Sequence, residues 1–148
     1  MKNALLVLMV CLFSNALLAQ TAKVIFYRND SWEIDPFHKL GIFQNGKRIH
    51  KIKKHEVYTY SANNENGTYF MKPTKKRTIN LSPEPNTITF VEVGFKSEIV
   101  YRKSSIKKRT LAEFRKDYAS KKWLRKSMAK AGYKSVDDLI GHEKVALN

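Results

Sequence analysis

The sequence predicts a mainly β chain: an antiparallel β-sandwich of about seven or eight short strands, followed by a basic α-helical segment. Three observations carry this. Up to about residue 102, short runs rich in β-branched and aromatic residues are punctuated by turn residues roughly every 8–12 positions, the spacing of a sandwich rather than of a βα alternation. After Lys103, apolar residues recur every three or four positions, a helical period. The charge is uneven as well: the chain carries a net +15, and the stretch Lys96–Lys130 holds thirteen Lys or Arg against three acids.

The division that follows is 1–19, 20–103 and 104–148. Lys2 gives the N-terminus a positive start, Ala4–Phe13 is an apolar run, and Ser14-Asn15-Ala16-Leu17-Leu18-Ala19 leads into Gln20. This is the layout of a secretory signal peptide cleaved after Ala19. The run is short of the ~20 residues of a spanning helix, so no transmembrane span is expected in the mature chain. Cys11 lies in that run without the small residue that precedes a lipidated cysteine. It is the single cysteine of the sequence, so the mature chain is expected to hold no disulfide or thiolate site and to rely on an ordinary core.

In the 20–103 unit, Ala22–Arg28 is apolar on both sides and reads as a central strand. Trp32–Pro36 reads as a loop. His38–Gln44 and Lys47–Lys53 flank Asn45-Gly46, a strong hairpin signal because both turn positions need positive φ. Counting outward from that turn, with Gln44 opposite Lys47, puts His50 opposite Gly41. Val57–Ser61 and Thr68–Lys72 are further strands around a polar loop. From Lys75 to Leu81, Ile79 and Leu81 face one way and Thr78 and Asn80 the other, so one face is wet. Ser82–Asn86, with two prolines, is a turn. Thr87–Val93 is a strong strand, and Glu98–Arg102 is expected to pair with it across Gly94.

These strands resemble a group of small exported bacterial domains of unknown function with an Ig-like or PEGA-like β-sandwich. The resemblance covers residues of about 22–95 and rests on the first strand ending in Tyr27-Arg28, the Asn45-Gly46-Lys47 hairpin, Val57-Tyr58-Thr59-Tyr60, and the late strand Ile79–Phe90 with its Pro-rich turn. Asn86 stands where a glycine is usual, and Ile88-Thr89-Phe90 where aromatics are usual. The resemblance implies a fold and an envelope or cell-surface setting, and it carries no catalytic residue.

In the 104–148 unit, Leu111, Phe114 and Tyr118 form one helical face, and Leu124, Met128 and Ala131 another, rotated by about 100°. Two helices or one bent helix satisfy this pattern, with Ser120 as the N-cap of a second helix and Gly132 as its stop. Ser135-Val136-Asp137-Asp138 resembles a capping box opening a short helix that Gly141 ends.

The chemistry available is narrow. There is no Gly-x-Ser-x-Gly elbow, no thiol nucleophile in the mature chain and no Gly-rich phosphate loop after a strand. No catalytic residue and no cofactor is assigned. The histidines His38, His50, His55 and His142 are scattered, and two sit among lysines, so no metal site is assigned. The loop acids Asp30, Glu33 and Asp35 are the one place where an exported hydrolase could hide its carboxylates, and this is the alternative reading.

Two basic surfaces remain: Lys47–Lys54 with Lys75, Lys76 and Arg77, and a helical one formed by Lys107, Lys108, Arg109, Arg115, Lys116, Lys121, Lys122, Arg125, Lys126 and Lys130. Between Lys107 and Lys130 only Glu113 and Asp117 are acidic. A solvated helix face ordinarily mixes the two signs, so a single-sign field points to an anionic partner. The expected function is a non-catalytic exported module, periplasmic, cell-surface or secreted. It would contact a lipid headgroup, lipopolysaccharide, an acidic glycan or an acidic protein through these ten residues. Export disfavours nucleic acid as the partner. N-terminal sequencing of exported material should begin near Gln20; an intact Met1 or a lipidated Cys11 refutes the signal assignment.

Overall fold

The computed structural model describes residues 21–29, 40–62, 66–72, 78–97, 102–141 and 144–145. Among these are nine strands: β1 Ala22–Arg28, β2 Leu40–Gln44, β3 Lys47–Ile52, β4 Val57–Ala62, β5 Gly67–Lys72, β6 Thr78–Leu81, β7 Thr87–Ser97, β8 Arg102–Arg109 and β9 Lys144–Val145. Three helices lie between β8 and β9: α1 Leu111–Ser120, α2 Lys122–Lys130 and α3 Val136–Ile140. The signal assignment at 1–19, the expected Trp32–Pro36 loop, the acids Asp30, Glu33 and Asp35 and the basic residues 75–77 lie outside the described residues.

The strands form two sheets. One runs β4-β1-β7-β8, with β9 also on β7, and the other runs β3-β2-β5-β6. The chain changes sheet repeatedly, so sequence neighbours face each other across a sandwich interior. That interior is built from alternate residues: Val24 and Phe26 of β1, Val91 and Val93 of β7 and Ile106 of β8 meet Leu40, Ile42, Ile52, Tyr69, Met71 and Leu81. Arg28, fully buried at the end of β1, donates to the Ile52 carbonyl at 3.3 Å and lies 5.7 Å from the Phe95 ring centre.

Most ladders are antiparallel, as the sequence predicts, but the central pair is not. β1 and β7 run parallel, Ile25 beside Phe90 and Tyr27 beside Glu92. A parallel pair requires a long connection, which the intervening five strands supply. Both strands are buried on both sides, as the apolar run Val24–Tyr27 predicts for β1. Their second face carries Ile25, Tyr27, Ile88 and Phe90, and it is covered by Phe114, Leu124, Met128, Val136 and Leu139 of the three helices. The architecture is therefore three-layered: sheet, sheet, helices.

The Asn45-Gly46 hairpin is present, with φ of 48° and 86°. The simple count from it fails after one more pair. Phe43 faces Arg48, but Ile42 faces His50 and Gly41 faces Lys51. Ile49 is the extra residue of a β-bulge, so His50 sits opposite Ile42 rather than Gly41. Asn86 closes the Pro-rich turn at φ 57°, in the left-handed region that a short amide side chain tolerates.

Two other expectations change. β7 does not turn at Gly94; it continues to Ser97 with Gly94 opposite Ser105, and residues 102–109 form the partner strand rather than a lead-in to the helices. The helical segment is two helices, not one bent helix, but Ser120 is not the cap between them. Its hydroxyl donates back to the carbonyls of Lys116 and Asp117, and the break falls at Lys121, whose backbone is extended. α2 ends in a Schellman closure: Gly132, at φ 95°, donates to the Ala129 carbonyl and Tyr133 to that of Met128. Ala131 caps the helix and is exposed, so it takes no part in the inward row with Leu124 and Met128. Ser135 caps α3 as predicted, accepting from the Asp138 amide at 3.0 Å.

Replacing Gly46 with Val should destabilise the fold by roughly 1–2 kcal/mol, because a β-branched residue resists positive φ. Chemical denaturation checks this; an unchanged midpoint would mean the turn contributes nothing.

Candidate functional site

The basic residues are distributed by the elements that carry them. Lys107, Lys108 and Arg109 lie on β8, Arg115 and Lys116 on α1, Lys121 in the break, and Lys122, Arg125, Lys126 and Lys130 on α2. The structure does not gather these ten into one surface, because several are occupied internally.

Arg109 is the clearest case. It pairs with Glu92, which is nearly buried on the helix-facing side of β7, and with Glu113 at 2.8 Å; Asn29 donates to the other Glu92 oxygen at 3.0 Å. Burial works against the Arg109 charge, but the hydrogen bond and field of Glu92 outweigh it and raise the pKa. Glu113 also completes a capping box with Thr110, which opens α1. The Thr110 amide, then the Arg109 guanidinium, holds its carboxyl below the ordinary range. Beside this cluster Tyr27 donates to Asp117 at 2.9 Å, and Lys121 pairs with the same carboxylate. Burial, then the Asp117 charge, pushes the Tyr27 hydroxyl far above its usual pKa, so it stays a donor. Arg115 pairs with Asp137, and Arg125 donates to the Tyr118 and Ala119 carbonyls, satisfying the open C-terminal end of α1.

The cations left over lie mainly on α2. Lys122, Lys126 and Lys130 recur every four residues, are exposed, and form one row along the helix. Beside that row, half-buried Trp123 stacks on His55, with ring centres 4.7 Å apart and planes at 14°. Ser127 donates its hydroxyl to the His55 carbonyl. His55 belongs to the β3–β4 turn and takes a left-handed φ of 58°. Glu56 fixes that turn from the other side: one carboxylate oxygen accepts from the Lys53 amide at 2.6 Å, and the other meets His50 Nε2 at 2.9 Å. His50 in turn stacks on Tyr58.

The result is an open cleft of about 340 Å³ between the β3–β4 turn and the last turn of α2, walled by Lys53, Lys54, His55 and Glu56 on one side and Ser127 and Lys130 on the other. The ammonium groups of Lys53, Lys54, Lys126 and Lys130 make no ion pair among the described residues. The sequence shows two basic surfaces; the fold joins part of one to part of the other. Lys53 and Lys54 carry no spacing signal that would place them beside Lys130, which is why the helical residues are the candidates there and the turn residues are not.

No group of three or more His, Asp or Glu able to hold a metal occurs among the described residues, and no helix among them is long and apolar enough to cross a membrane. No known protein family, curated protein or solved structure matches this chain.

The capping cluster has a pH signature. Because the Glu113 carboxyl is held below its ordinary range, its contribution is present above the usual carboxylate pKa of about 4.3 and is lost as pH falls through the depressed value. Glu113→Ala should therefore lower the melting temperature at pH 7, and the gap from the parent should close in acid; a gap independent of pH would place the effect elsewhere.

Proposed function

We propose that this protein is a non-catalytic exported module, of the bacterial envelope or secreted, that binds an anionic surface through the α2 row and the adjoining β3–β4 turn. The observation that carries this is the convergence of exposed, ion-pair-free lysines from two separate parts of the chain on one face. A solvated surface has no need of that convergence, and like charges held together destabilise the folded state.

The placement of charge on α2 supports the same reading. The N-terminal end of a helix carries partial positive charge and is stabilised by acids. α1 and α3 follow this, with Glu113 in the first turn of one and Asp137 and Asp138 in that of the other. α2 has no acid in its first turn, begins at Lys122, and has no side-chain cap. Lys122 is therefore placed against helix stability, whereas Lys130 lies in the last turn, where a cation is favoured. Anionic lipid headgroups, lipopolysaccharide and acidic glycans all present the surface such a face would meet, and the signal layout of residues 1–19 fits that setting.

Two experiments follow. Changing Lys122, Lys126 and Lys130 together to Gln should leave the fold intact, since Gln has similar helix propensity. Co-sedimentation with phosphatidylglycerol vesicles should fall, and its salt dependence should flatten. Parent-like binding by the variant, or no binding by the parent at low salt, refutes the proposal. Lys122→Glu separates stability from binding: it should stabilise the fold by about 0.3–1 kcal/mol at the helix N-terminus while weakening vesicle binding. Both quantities moving in the same direction would contradict the assignment.

A further inference from the structure

We infer that the cleft between the β3–β4 turn and the end of α2 is a discrete site for a phosphate monoester, whether free or borne on a headgroup. This rests on the anionic-surface reading and adds a specific site and ligand chemistry to it. Lys53, Lys54 and Lys130 wall the cleft together with one carboxylate, that of Glu56, which is already engaged by His50 and the Lys53 amide. The uncompensated charge suits a dianion better than a single carboxylate. The cations that wall the cleft are lysines, without arginine. Lysine ammoniums act as movable point charges that can each reach a different oxygen of a phosphate.

The backbone that carries the two turn lysines is held in place. The turn carrying Lys53 and Lys54 holds His55 in a left-handed conformation, and it is pinned to α2 by the Ser127 hydroxyl and the Trp123 ring. The end of α2 would by itself repel an anion, since helix carbonyls point out of it. Here the carbonyls of Ser127, Met128 and Ala129 are consumed by the amides of Ala131, Tyr133 and Gly132. The volume, about 340 Å³, is at the lower end of the range for small-molecule sites, and the cleft is open on one side. It therefore admits a phosphate head while the rest of the ligand stays outside.

The test uses the mature chain and three small probes: methyl phosphate as the monoester, dimethyl phosphate as the diester, and acetate. Amide NMR shifts of residues 53–57 and 127–131 should move with methyl phosphate and saturate. The other two probes should fail to saturate at the same concentration. Lys54→Gln with Lys130→Gln should weaken the methyl phosphate titration by about tenfold or more, a single lost charge-assisted contact being of that order. Lys108→Gln with Lys116→Gln, which removes equal charge from exposed positions outside the cleft, should not weaken it.

Vesicles then distinguish the source. Stronger binding to phosphatidic acid than to phosphatidylglycerol assigns a lipid headgroup, and equal binding with a saturable methyl phosphate titration assigns a soluble monoester. The site is overturned if the shifts do not saturate, if acetate or the diester matches methyl phosphate, or if both double variants weaken binding equally. If those failures occur while phosphatidylglycerol binding persists, the general anionic-surface reading survives without the site. Saturable phosphate shifts without vesicle binding give the converse.

Discussion

The parallel pairing of β1 with β7 is the constraint on which the other layers depend. It places two apolar strands side by side in the middle of a sheet and buries both faces of each. One face is met by the second sheet. The other exposes Ile25, Tyr27, Ile88 and Phe90 unless something covers them, and each large apolar side chain left in water would forfeit about 1.5–3 kcal/mol. Phe114 answers this most directly, packing against both Tyr27 and Phe90 with ring centres 5.1 and 4.3 Å away. The helices are thus a third layer, closing a second apolar cluster over the outer face of β1 and β7.

That arrangement also explains where the positive surface comes from. Two acids of the helical layer are spent near the rim where it meets the sheet: Glu113 with Arg109, and Asp117 with Tyr27 and Lys121. With those carboxylates engaged there and Asp137 paired with Arg115, the outward side of α2 keeps its lysines without neutralisation. The same layer that completes the core therefore determines the electrostatic face of the molecule, and docking and charge display are two sides of one set of helices.

How much of this could be read from the sequence varies with the kind of information each element carries. Asn45-Gly46 encodes its turn locally, and Leu111, Phe114 and Tyr118 encode a helical face by spacing, so both are legible. The bulge at Ile49 is not, since nothing in Lys47–Ile52 marks the position where an extra residue is absorbed. β8 is illegible for a different reason: Arg102–Arg109 has only Ile106 as a large apolar residue and gains its strand conformation from pairing with β7. The direction of β1 relative to β7 depends on the path of the whole chain. The cleft depends on a contact between residues more than seventy positions apart, His55 and Ser127, and no local pattern reports that. The basic character of the helical segment is legible, but the sequence cannot tell which of its cations, Arg125 and Lys121 among them, are committed to capping and ion pairs.

The β1–β7 pairing has a consequence for the order of events during synthesis. A chain emerges from the ribosome N-terminus first, and β1 is among the earliest of the described strands to appear. Its parallel neighbour begins at Thr87 and the residues that cover its second face at Phe114. Until then an apolar strand must wait with its helix-facing side and one edge unsatisfied, the kind of segment that associates with other chains. Contacts so distant in sequence also make folding slow. The molecule is therefore most exposed to aggregation in its nascent form, before the helices that cover β1 have emerged.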